Sequence, residues 1–180
     1  MTSAFKTKER VSLKTQTLFG LAAAALAVVL PHICHSAGQL LGVGSALGEY
    51  LLPMHLPVML SGILLGPTAG MVAGFLSPVV SFLLSGMPSA AILPFMVIEL
   101  TVYGITAGLL KNAKFNSVLK VLLVQASGRI IRAAAIAFAF YVLGSTSVPV
   151  SIIYTSLVSG IVGIVLQLII IPFTVWKIKD

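Results

Sequence analysis

The chain has 180 residues, 58% of them hydrophobic and only 8% charged, with a mean hydropathy of +1.12. A soluble domain carries about 25% charged residues, so composition excludes a soluble globule and predicts an all-α integral membrane protein folded as one domain. The net charge of +7 does not indicate nucleic acid, because nine of the eleven Lys and Arg residues flank apolar runs, which is a membrane-topology pattern.

The first apolar run, approximately 16–34, has about the 20 residues needed to cross a ~30 Å hydrocarbon core. Its basic leader and "AAAALA" stretch loosely fit a signal peptide, but cleavage would remove this span and invert those that follow, so the run is expected to stay. Residues 36–52, "SAGQLLGVGSALGEYLL", are too apolar and Gly-rich for an ordinary linker. They read as an outer loop folded back on the mouth of the bundle, a candidate lid. The stretch from Met54 to Leu84 is too long for one span and short for two. "GPTAG" at 66–70 divides it, because Pro67 cannot continue a preceding helix, and helices are expected at approximately 54–66 and 68–84. Three more follow at approximately 91–110, 118–144 and 150–176.

Charge sets the orientation. Lys6, Lys8, Arg10 and Lys14 precede the first span, Lys111, Lys114 and Lys120 surround one linker, and Lys177 and Lys179 end the chain. Basic segments stay cytoplasmic, so an even number of spans separates the tail from that linker. The prediction is a bundle of six transmembrane helices with cytoplasmic N- and C-termini. The outer connections 36–52, 85–90 and 145–149 then contain no Lys or Arg. The lone Cys34 forms no internal disulfide.

Gly62-xxx-Gly66, Gly70-xxx-Gly74 and Gly104-xxx-Gly108 are small-residue pairs that let helices approach closely, and internal packing is the expectation for them. Ala23-xxx-Ala27 serves equally for internal packing or for docking another membrane subunit.

Two charges stand out. Arg129 and Arg132 lie on one face of the fifth span, with Gln125 and Gly128. At 1.5 Å per residue they are ~16 and ~21 Å from its start. Glu99, on the antiparallel fourth span, lies ~18 Å above the inner surface, a depth between the two. An intramembrane Glu–Arg pair is therefore within reach. Charges at mid-bilayer cost ~2.5–3.5 kcal/mol each and are normally paired and functional. Two arginines and one glutamate leave one positive charge uncompensated, which an anionic ligand matched to the guanidinium fork would complete; in the alternative, the spare arginine snorkels or bonds backbone carbonyls. His55, Tyr103, Tyr154, Glu49, Thr155 and Ser159 are polar groups towards the outer half, a lining suited to a substrate cavity.

His32, His35 and His55 have no metal-site spacing, and no metal or cofactor is expected. P-loop, HExxH and GxSxG motifs are absent, as is an in-span aspartate pair. The chain therefore reads as a non-enzyme without its own ATPase.

The segments "MHLPVMLSGILLGPTAGMVAGFLSP" (54–78), "SGMP" (85–88), "IELTVYGITAGLL" (98–110), "SGRIIR" (127–132) and "GIVLQLIIIP" (163–172), with the Ala-rich first helix and the long apolar first outer loop, resemble the substrate-binding S component of energy-coupling factor (ECF) vitamin transporters. The resemblance implies a bacterial plasma-membrane protein that binds a vitamin or precursor near the outer face, with a transmembrane T subunit and two ATPase subunits supplying the energy. It places partner docking at Ala23 and Ala27, and ligand contacts in the first outer loop and helices 4 to 6, where Glu99, Gln125, Arg129 and Arg132 lie; the polar lining read above adds Tyr103, His55 and Tyr154 as candidate substrate contacts. A net positive pocket favours a carboxylate such as pantothenate or niacin over cationic thiamine; riboflavin, a pyridoxine-type vitamer and cobalamin are the alternative substrates. The rival reading is a self-sufficient secondary carrier or homo-oligomeric channel with Glu99 as proton site.

Overall fold

The computed structural model describes residues 11–44 and 46–179. The expectations resting on Lys6, Lys8 and Arg10 concern positions outside those residues. Among them every regular element is helical: α1 (Leu13–Leu40), α2 (Ala46–Leu51), α3 (His55–Leu65), α4 (Pro67–Ser85), α5 (Leu93–Leu109), a short 3₁₀ turn (Leu110–Asn112), α6 (Ser117–Tyr141), α7 (Ile152–Ser159) and α8 (Ile161–Lys179). Six stretches of the described residues are long and apolar enough to cross a membrane.

Local chemistry accounts for the helix ends. Ser12 caps α1 by accepting from the Thr15 N–H at 3.2 Å, and Asn116 caps α6 by accepting from the Leu119 N–H at 2.7 Å, each satisfying a donor that has no partner within the helix. The chain turns between α3 and α4 at Gly66, whose φ of 134° suits glycine. Pro67 then occupies the first turn of α4, where its missing N–H costs nothing. Lys111 Nζ donates to the Leu65 carbonyl at 3.0 Å, filling one of the acceptors left at the end of α3.

Two expectations about the helices are corrected. The segment 36–52 is not a loop: α1 continues to Leu40 and α2 occupies Ala46–Leu51. The reason is length. α3 alone has 11 residues, ~16 Å of helix, about half a bilayer core; α2 and α3 together supply the 20-residue span Ala46–Leu65. The sixth helix is also not continuous, because Gly160 separates α7 from α8.

α3, α4 and α5 form the tightest part of the bundle. Gly70 and Gly104 face each other so closely that a Cβ on either would run into the backbone of the other. Gly74 lies against the Leu100 carbonyl and Gly108 against Pro67 in the same way. In a bilayer, where burial from water contributes little to helix association, such close approach gains the dispersion contacts that hold helices together. α1 joins through Gly20, Ala24, Ala27, Val28 and Pro31, all buried. The inward pair therefore includes Ala27, fully buried in the core, with Ala23 half-buried and packed against it. This face of α1 meets the chain's own helices, the stripe of small residues continuing the Gly20 contact with Ala69 of α4, while Ala23 keeps part of its surface.

Candidate functional site

Glu99 of α5 is 1% exposed, and both of its oxygens are engaged. Oε2 accepts from Arg132 Nη1 at 2.9 Å, and Oε1 accepts from the Tyr103 hydroxyl, one turn along α5, at 3.0 Å. Tyr103 reaches this position because Gly128 of α6 lies against the tyrosine ring, in space that a Cβ would fill. The Ser127 hydroxyl donates to Thr106 Oγ1 at 3.1 Å and further ties α6 to α5. This rigid pairing is what makes an ion pair tolerable at such depth.

Arg129 is left over. Its Nε is buried without a partner, as is that of Arg132, and among the described residues no ion pair or hydrogen bond engages the Arg129 guanidinium. It points towards the α7–α8 break, where a Cβ on Gly160 would lie 3.4 Å from its Nη2. Glu99, Arg129 and Arg132 share a cavity of about 90 Å³ with Ala133, Ile136, Ile153, Ser156 and Leu157. The space thus has a free guanidinium edge, a carboxylate already committed elsewhere, one hydroxyl and an apolar floor. A larger groove of about 560 Å³ runs along α1, bounded by Val28, His32, Ala37 and Leu84, but it is open and lined by no Asp, Glu, Lys or Arg.

Other expected site residues lie apart. Gln125 does not line the cavity: its Nε2 donates to Gln167 Oε1 at 2.9 Å, joining α6 to α8, and Gln167 Nε2 is aimed at the Leu52 carbonyl at 3.5 Å. His55 is buried behind Tyr103, the ring centroids 5.4 Å apart. Tyr154 is 70% exposed on the outer side of α7. Sequence reasoning passed over Ser156 and Gln167. Gln167 had a signal, being the lone polar residue in an apolar run from Ile161 to Phe173; Ser156 had none, because its direction depends on the break at Gly160. Among the described residues no three His, Cys, Asp or Glu side chains gather as metal ligands would.

Six stretches of the described residues that are long and apolar enough to cross a membrane, with a small charged cavity between α5, α6 and α7, are the architecture of an integral membrane protein. The family model for the ECF transporter, substrate-specific component matches residues 16–175, and the chain belongs to that family. It is a multi-pass membrane protein with the family's role in vitamin-type uptake, a binding component and not an enzyme. Comparisons with curated proteins and with solved structures gave no match.

Proposed function

We propose that the chain captures a vitamin or vitamin precursor bearing a carboxylate, with pantothenate and niacin as the leading candidates, and that Arg129 receives the carboxylate. The observation that carries this is the difference between the two arginines: Arg132 is neutralised by Glu99 at 2.9 Å, whereas among the described residues no ion pair or hydrogen bond engages Arg129, whose Nε is buried. A guanidinium held at this depth without a counter-ion is costly, and a carboxylate bound in bidentate fashion relieves that cost. Ile136, Ile153 and Leu157 would take the apolar body of the ligand and Ser156 a polar substituent.

Uptake proceeds, on this reading, in the bacterial plasma membrane with both termini cytoplasmic, the cavity loaded from the outer side and energy supplied by a transmembrane T subunit and two ATPase subunits. Docking of the T subunit belongs on the outward side of α1, around Leu21, Leu26 and Val29, all exposed, with the exposed Ala22 and Ala25 between them.

Mass spectrometry of the ligand that co-purifies with the chain, followed by calorimetric titration of pantothenate and nicotinate into wild type and Arg129→Gln, tests the proposal. Tight binding of one carboxylate that is lost in a folded Arg129→Gln protein supports it. Preference for an uncharged vitamin, bound equally by both proteins, refutes the role of Arg129. Ligand-driven flux through vesicles holding the chain alone would establish the self-sufficient carrier instead.

A further inference from the structure

A cavity of about 90 Å³ is far below the ~300 Å³ at which ligand pockets begin, so a wall must move before a vitamin-sized molecule enters. Two short helices, α2 and α7, flank the long ones and are held very differently, and only α7 lines the cavity.

α2 is fastened on several sides. The His35 ring of α1 lies against Gly48, and Gly38 lies against the Gly44 carbonyl. On the other side the Leu51 carbonyl rests on α8, 2.7 Å from where a Cβ on Gly163 would be. Leu52, at φ 48°, presents its carbonyl to Gln167. α2 is also needed to complete the second span, Ala46–Leu65. Moving it would shorten a membrane crossing.

α7 has none of these constraints. No residue of Ile152–Ser159 is buried, whereas every other helix of the described chain longer than α2 contributes buried residues. Its neighbour α8 crosses without it, since Ile161–Ile178 has 18 residues, ~27 Å of helix. A ten-residue connection, 142–151, precedes it with Gly144 at φ 65°, and Gly160 follows. Yet α7 supplies Ile153, Ser156 and Leu157 to the wall facing Arg129.

We infer that α7 is the gate of the binding cavity, swinging about Gly160 to admit ligand and closing Ser156 and Leu157 over it, and that α2 stays fixed. The inference rests on the cavity being the binding site, and it assigns the moving part to the segment before the last span instead of the first outer connection. Small segments with few buried contacts open at low free-energy cost, and hinges of this type absorb the change at a few terminal residues.

The experiment needs no ligand, so its outcome is separate from that of the carboxylate titration. In a Cys34→Ser background, nitroxides are placed on exposed positions in two pairs, Tyr154→Cys with Ile33→Cys and Tyr50→Cys with Ile33→Cys, and distances are measured in lipid vesicles. Hydrogen exchange of the wild-type chain in nanodiscs compares amides 152–159 with 46–51. The expected result is a distance distribution for the α7 pair that is bimodal or wider by several ångström than that of the α2 pair, with α7 amides exchanging at least ~10-fold faster. An α7 pair as narrow as the α2 pair, or an α2 segment that exchanges as fast as α7 or faster, overturns the inference. A mobile α7 in a chain that binds no carboxylate would leave the gate standing and discard the carboxylate.

Discussion

Arg132 donates to Glu99 at 2.9 Å, and Arg129, one turn earlier on the same face of α6, is left outside that pair. The two arginines therefore have opposite consequences when neutralised. Arg132→Gln leaves Glu99 buried without its counter-ion, a change that costs about 3–5 kcal/mol. Thermal unfolding in detergent should show a large loss for Arg132→Gln and little or none for Arg129→Gln. Ligand affinity should fall in Arg129→Gln by roughly 10- to 150-fold, the equivalent of one charge-assisted hydrogen-bonded contact at ~1.5–3 kcal/mol. Equal stability loss in both would show that Arg129 has a structural partner.

Tyr103→Phe removes the hydroxyl that serves Glu99 Oε1 and keeps the ring that fills the space beside Gly128. The expected cost is ~1–3 kcal/mol, that of one unsatisfied buried acceptor, with the fold retained. An unchanged unfolding midpoint would mean that the hydroxyl contributes nothing to holding the carboxylate.

Gln125 and Gln167 are both buried and hydrogen-bonded to each other. Each single change to Leu strands the other amide, at ~1–3 kcal/mol. The double variant Gln125→Leu/Gln167→Leu should be more stable than the less stable of the two singles, because no polar group is then left unpartnered. Additive losses in this cycle would argue that the amides act independently.

The two faces of α1 separate folding from assembly. Ala27 is fully buried, so Ala27→Leu overpacks the core, typically at ~1–3 kcal/mol, and should destabilise the isolated chain. Ala25→Trp lies on the outward side and should leave stability and ligand binding intact while reducing co-purification of the T subunit and ATPases. Normal assembly of the Ala25→Trp chain would place the docking surface elsewhere.

At the α4–α5 contact, Gly104→Leu has no room, since even a Cβ would strike the Gly70 backbone. Expression should yield no folded monomer on size exclusion, whereas Gly144→Ala, in a connection where a Cβ meets nothing within 4 Å, should still fold despite its strained φ of 65°. A well-folded Gly104→Leu protein would disprove the close packing.

The chain's membrane character and its six spans were legible in the sequence because hydropathy and length are local: a run of apolar residues must span or be buried, whatever its neighbours do. The pairing of Glu99 with an arginine was also within reach, since helix rise alone places the three side chains at similar depths. Which arginine pairs, and hence which is free, was not legible, because it depends on the rotation of α6 against α5 that Gly128 and Tyr103 determine. The same reason explains Ala23 and Ala27, where a small-residue motif states that something packs closely but not which helix does. It explains Gln125 and Tyr154 as well: the first was drawn into an amide pair with a residue 42 positions away, and the second was turned outward by the break at Gly160. Composition and periodicity thus determined what kind of protein this is and which charges it carries into the membrane. Tertiary packing decided which of those charges remains without a partner, because partnership depends on a few ångström of side-chain geometry that hydropathy does not encode.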